Sequence, residues 1–172
     1  MTTIARGRDN LPANVTIRHD LRTGDISRLI ALHAILHAEA RGWDATFEAY
    51  VAGPLAEFAL SQSERERIWI VDEGGKLMGC VAIVEASEAQ GQLRWLLLVP
   101  HLRRRGLGRM LVEEAVDFCR EAGYASVFLW TVEGLEGALH LYESLGFELT
   151  EEETHSIWGA VVTEQRYELK LR

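Results

Sequence analysis

The sequence predicts a mixed α/β fold: a sheet of about seven strands, mostly antiparallel with one central parallel pair, flanked by about four helices. Short β-rich runs alternate with helical patterns along the whole chain. A glycine-pair turn joins two early runs into a hairpin, and from residue 91 to 131 the order is strand, helix, strand with short connections. A right-handed crossover makes the strands of that last unit parallel, whereas the hairpins before and after it pair antiparallel.

The elements follow in order. Residues 1–13 carry Gly7, Asn10 and Pro12 without periodicity and read as a mobile N-terminal tail, leaving 14–172 as a single domain. Val15 to His19 alternates apolar and polar, as a first strand does. Asp25 is placed to cap a helix whose stripe is Leu29, Leu32, His33 and Leu36, and Gly42 ends it. Ala45 to Leu60 is a second helix, expected to bend or break at Gly53–Pro54. Ile68 to Val71 and Leu77 to Val84 are strands joined through Asp72-Glu73-Gly74-Gly75, and Leu93 to Val99 is a strand stopped by Pro100. An amphipathic helix carries Leu107, Leu111, Ala115, Phe118 and Ala122 on one stripe, with Gly123 beyond it. Ala125 to Thr131 is a strand, Leu135 to Leu145 a helix closed by Gly146, and two more strands follow Phe147.

Composition narrows the function. At about 150 residues per domain, 172 residues make one domain, large enough to bury its own core. A net charge of −8 argues against nucleic acid, which needs a broad basic surface. No run approaches the ~18 apolar residues of a membrane span, and the first residues lack a secretory apolar segment. Cys80 and Cys119 are isolated and read as buried thiols of a reducing compartment, so a cytoplasmic protein is expected. His33 and His37 stand four apart on one helix, but no third ligand accompanies them and no metal is expected.

The chemistry begins at Pro100 to Gly108, PHLRRRGLG. A helix start leaves four N–H groups without intrahelical partners, and a Ser, Thr, Asp or Asn usually covers one. None occurs in this stretch. Gly106 and Gly108 leave the backbone bare for close approach, and the peptide dipoles favour negative charge there. Arg103, Arg104 and Arg105 add three consecutive cations in an acidic chain. These features describe a phosphate cradle after a strand, with a solvated basic turn as the plain alternative. A dinucleotide fingerprint does not fit, because Leu111 stands at the third glycine position and no acidic residue ends the following strand. A P-loop is excluded, since no Gly-Lys-Ser/Thr occurs.

Arg103-Arg104-Arg105-Gly106-Leu107-Gly108 resembles the R/Q-x-x-G-x-G/A signature of the GNAT superfamily of acyl-CoA-dependent N-acyltransferases. Leu141-Tyr142-Glu143-Ser144-Leu145-Gly146-Phe147 resembles that family's LYExxGF segment. The two matches are separated by the expected strand, and the element order fits from about Val15 to Leu171. The stretch from His33 to Phe58 is further similar to GNAT domains fused to winged-helix regulators, here without the DNA-binding half.

The resemblance implies that acetyl-CoA lies between the central parallel strands, with its diphosphate on the backbone N–H groups of Arg104 to Arg109. Arg103 and Arg104 are the expected side-chain contributors, and Leu97, Leu98 and Val99 the strand that pairs with the pantetheine. Tyr142 matches the general acid that protonates the leaving thiolate. An Asn often found seven residues earlier is Leu135 here. No nucleophile–base set surrounds either cysteine, in keeping with direct attack by an amine. Glu85, at a strand end, is the candidate general base, with Glu39 and Glu48 behind it. Trp43, Asp44, Phe47 and Trp158 are the candidate acceptor-site lining, and the acidic balance favours a cationic amine. The expected partner is a small-molecule or peptide amine, and an exposed C-terminal edge strand suits a homodimer. The competing function is an acyl-CoA sensor that binds without turnover.

Overall fold

The computed structural model describes residues 8–171. β1 (Val15–Arg18) leads into α1 (Asp25–Arg41) and α2 (Ala45–Ser61), then β2 (Arg67–Glu73), β3 (Lys76–Glu85) and β4 (Gln90–Leu98). α3 (Leu107–Glu121), β5 (Ser126–Val132), α4 (Glu136–Ser144), β6 (Glu148–Ile157) and β7 (Ala160–Lys170) complete it. The seven strands form one sheet in the order β1-β2-β3-β4-β5-β7-β6. Only β4 and β5 run parallel; every other neighbouring pair is antiparallel. The predicted fold class and element order are those observed.

The sheet is covered on both faces. Ile68, Trp69, Ile70 and Val71 are all nearly inaccessible, the signature of a strand buried on both sides. α3 lays Leu107, Leu111, Val112 and Ala115 against one face, with Trp69, Val81, Ile83 and Leu93. α1 and α2 bring Leu29, Leu55 and Phe58 to the other, against Ile68, Ile70, Cys80 and Ala82. Burial pushes both thiols up, that of Cys119 to about 12, so both stay protonated as packing groups.

Two hairpin turns use left-handed backbone. Gly74 and Gly75 turn β2 into β3 with φ of 60° and 85°, as a two-residue turn requires. Trp158 and Gly159 turn β6 into β7 with φ of 55° and 75°. A bulky residue rarely takes that conformation. Here the Asp44 N–H donates to the Trp158 carbonyl (3.0 Å), tying the turn to the start of α2.

Several local expectations are corrected. α2 is unbroken through Gly53–Pro54, because its buried stripe Phe47, Val51, Leu55 and Phe58 is continuous across the proline. Asp25 is the first helical residue rather than the cap. Its carboxylate accepts from the Arg22 N–H (2.7 Å) and pairs with Arg18 (2.8 Å). Of the expected tail, residues 1–7 lie outside the described residues. Arg8–Asn10 form a 3₁₀ turn held by two Arg8–Glu114 hydrogen bonds of 2.9 and 2.8 Å. β6 is the expected free edge, and it is lined by Glu148, Glu151, Glu152 and Glu153, charge that opposes edge-to-edge pairing of two copies. Among the described residues no helix is long and apolar enough to cross a membrane.

The feature that opens the sheet lies in β4. Its register with β3 passes from Cys80↔Leu97 to Ala82↔Arg94, so Trp95 and Leu96 share one opposing residue. Trp95 has a φ of 56°. Such a bulge bends its strand. β4 pairs with β5 only at Gln90↔Ser126, Gly91↔Val127 and Gln92↔Phe128; beyond Gln92, as β4 approaches the bend, the two strands part.

Candidate active site

α3 starts at the mouth of that gap. Its cap is Gly106, left-handed at a φ of 77° and without a side-chain cap. Among the described residues nothing accepts from the amides of residues 104–109, whereas the Arg103 N–H donates to the Pro100 carbonyl and the Met110 N–H to that of Gly106. The run of bare amides expected from the sequence is therefore present. Arg104 and Arg105 are exposed and make no ion pair among the described residues. Arg103 donates from Nε to the Leu98 carbonyl (2.8 Å), locking the end of β4 to the cradle. Arg109 turns away, to Glu113 (3.0 Å) and Ser144 (2.9 Å).

The Val99 N–H is already bonded to the Met78 carbonyl (3.0 Å). Successive residues of a strand face opposite ways. Leu98 is therefore the one of Leu97, Leu98 and Val99 that turns its main chain to the open side, and Arg103 takes its carbonyl.

Between the parted strands runs a cleft of about 190 Å³, lined from β4 by Gln92 to Leu96 and from β5 by Leu129 to Val132. Tyr142 borders it from α4. Its ring is buried beside Phe147, and its hydroxyl has no protein partner among the described residues. Burial pushes this phenol well up, so it is protonated at every physiological pH.

The other wall is aromatic. Trp158 packs 4.6 Å from Trp43, 4.9 Å from Phe47 and 5.1 Å from Tyr50. Trp43, Phe47 and Trp158 are brought together at the cleft as expected; Asp44 is not. It caps α2 by accepting from the Thr46 N–H (2.9 Å) and hydroxyl, and borders the Trp158–Gly159 turn outside the cleft. Glu85 is not brought there either. It opposes Gly91 at the closed end of β4–β5 and pairs with Arg65 at 2.6 Å. Glu39 and Glu48 are exposed and do not border the cleft.

Glu164 and His33 border the cleft although the sequence assigns neither to it. Glu164 is the only carboxylate among the described residues of the cleft wall. His33 donates from Nδ1 to the Leu29 carbonyl (2.8 Å), leaving Nε2 buried without a hydrogen-bond partner. The Trp95 backbone lies near enough to favour the charged ring, but desolvation dominates and pushes His33 down to about 4. An unfolded His33 binds its proton near pH 6.5 and the folded one does not, so stability falls as pH drops from 6.5 towards 4. The loss attributable to His33 should reach about 3 kcal/mol at pH 4. Urea unfolding of wild type and His33→Gln across that window checks it: the variant should have a shallower slope, with His37, His19 and, at the acid end, the ion-paired carboxylates Asp25, Glu114 and Glu168 giving the remainder in the same direction.

Residues 31–147, more than half the chain, match the acetyltransferase (GNAT) family. The chain belongs to the GNAT family. Its relatives include the rat N-acetyltransferase family 8 member 3, 34% identical over 49% of this chain and 39% of that protein. Another is the Escherichia coli K12 [ribosomal protein bS18]-alanine N-acetyltransferase, 34% identical over 52% of this chain and 60% of that protein. The matches thus span less than two thirds of these relatives' lengths. The spermidine N-acetyltransferase of Vibrio cholerae, solved with CoA and spermine, shares the fold at a TM-score of 0.67 and 19% identity, over 92% of this chain and 96% of that one. Within this GNAT fold the parted strands and Tyr142 border one cleft, and the cradle begins beside the end of β4, where Arg103 holds the Leu98 carbonyl.

Proposed function

We propose that the protein is an N-acetyltransferase that moves the acetyl group of acetyl-CoA directly to a primary amine of a small molecule or peptide. The observation that carries this reading is the unbroken run of amides at 104–109, without internal acceptors, at the mouth of a gap bordered by Tyr142. The residues fit a diphosphate: dipoles, glycines and the two exposed arginines at the same turn all favour an anion. Acetyl-CoA supplies the activated thioester. Leu98 would hold its pantetheine arm and Arg104 and Arg105 its charge, while Tyr142 donates a hydrogen bond to the sulfur as negative charge develops there. The relatives named as N-acetyltransferases support an amine acceptor, and Trp43, Phe47 and Trp158 would pack against its body. The reading places the protein in the cytoplasm and leaves the homodimer as a proposal that must use a surface other than the acidic β6 edge.

Thiol release from acetyl-CoA, followed with phenethylamine, spermidine and an unblocked alanyl tripeptide, tests it. Turnover on at least one amine is expected, with a CoA-induced rise in melting temperature that NAD does not produce. A melting shift with no release on any amine would instead favour a sensor that binds acyl-CoA without reacting.

A further inference from the structure

An amine at neutral pH is mostly an ammonium and has no lone pair to attack with until a proton leaves. The group that takes it must border the cleft and have a route to water. Of the titratable side chains on the cleft wall, Arg94 is a donor only and Tyr142 is kept protonated. His33 and His37 each commit Nδ1 to a carbonyl of their own helix, and among the described residues no acidic group stands beside either to pass a proton on. Tyr50 is a phenol, a weak base beside a carboxylate, and Glu164 remains.

Glu164 stands on β7 directly across from Val132 of β5 and from Glu153 of β6. Two carboxylates directly opposite each other repel. His155 stands beside both: its Nε2 lies 3.3 Å from Glu164 and 3.1 Å from Glu153, so a proton arriving on Nε2 relieves the repulsion. Glu164 is largely covered, while His155 and Glu153 are 38% and 56% exposed, so the three side chains form a polar path from cleft to solvent.

We propose that Glu164 is the general base of the acyl transfer and that His155 carries its proton out to water. This rests on the acetyltransferase reading above. One N–H bond of the ammonium breaks, its electron pair stays on nitrogen, and an O–H forms on Glu164. That proton passes to His155 Nε2, the ring releases its Nδ1 proton to water, and the Glu153 carboxylate steadies the imidazolium in between. The amine lone pair then attacks the thioester carbonyl, and the thiolate leaves beside the Tyr142 hydroxyl. Partial burial, reinforced by Glu153, raises the Glu164 carboxyl above the usual range, with His155 offsetting some of it. The higher affinity for a proton suits a base. The groups around Glu164 are His155 and Glu153 on β6, with Arg94, His33, His37, Tyr50 and Tyr142 on the remaining cleft wall.

The test is a pH profile of kcat and KM from pH 6 to 10, using whichever of the three amines the wild type acetylates best. Glu164→Gln should lose about a hundredfold in kcat/KM at pH 7. The deficit should shrink as pH nears the amine's own pKa, where free amine needs no base. His155→Gln should show the same trend at about tenfold. Glu164→Asp should recover part of the rate, and the CoA-induced melting shift should be unchanged in all three. Wild-type turnover with a Glu164→Gln profile parallel to it at every pH overturns this inference alone. Absence of wild-type turnover on every amine overturns the acetyltransferase reading and this one with it.

Discussion

Replacing Gly108 with Glu is expected to make the protein more stable and to weaken its binding of acetyl-CoA about a hundredfold, or about 2.8 kcal/mol. Gly108 is the second residue of α3, where helix physics alone would choose an acidic side chain. Exchanging glycine for an ordinary helix former gains up to about 1 kcal/mol, and a negative charge in the first turn another 0.3–1, roughly. There is room for it: an added Cβ would meet only Leu98 Cδ1 at 3.7 Å and Leu141 Cδ2 at 4.0 Å, ordinary contacts. The position nonetheless carries neither acid nor side chain. The cradle reading explains this, since a carboxylate there would cover the amides and repel a diphosphate. Gly108→Ala separates bulk from charge and should also stabilise, with a loss of affinity of about tenfold at most. Gly106 is unsuited to the test because its left-handed φ would strain any side chain. Thermal melts and titration with acetyl-CoA read both effects. A more stable Gly108→Glu protein with unchanged affinity would show that the ligand does not sit on these amides.

Tyr142→Phe should lower kcat about a hundredfold while leaving acetyl-CoA affinity and melting temperature nearly unchanged. The ring packs beside Phe147 and would do so equally as phenylalanine. Its hydroxyl serves no internal hydrogen bond among the described residues, so deleting it leaves no protein group unsatisfied. An ordinary phenol is already about 1.5 pKa units less acidic than a thiol, roughly 2 kcal/mol against full proton transfer. Burial moves Tyr142 further in that direction. Its service is therefore a hydrogen bond that strengthens as charge builds on sulfur, and kcat should not fall with rising pH through the ordinary tyrosine range. Steady-state rates at saturating substrate decide the matter; a variant as fast as wild type removes Tyr142 from the chemistry.

How much of this was legible beforehand depended on how far each property reached along the chain. The glycine-pair hairpin, the stripe of α3 and the stop at Pro100 come from neighbouring residues, and all are where local rules put them. The Asp44 cap was legible too, as an Asp directly before a helical run, although the resemblance drew it towards the acceptor site instead. Pro54 misled because the break it favours locally is outweighed by apolar contacts on either side of it. Glu85 misled for a topological reason: a carboxylate at a strand end is visible in sequence, but not which end of the sheet that strand end joins.

The amides bare for an anion, and the tyrosine set one helix later, are written in short stretches where the absence of a capping side chain is itself the message. The gap they serve is different in kind. Trp95 adopts a backbone that its own side chain disfavours, and it does so because β3 and β4 pair on both sides of it with one residue too many between. Glu164 reaches the cleft only because β7 inserts between β5 and β6. Pairings between segments tens of residues apart are set by the packing of the whole sheet, and they chose the opening and the carboxylate that faces it.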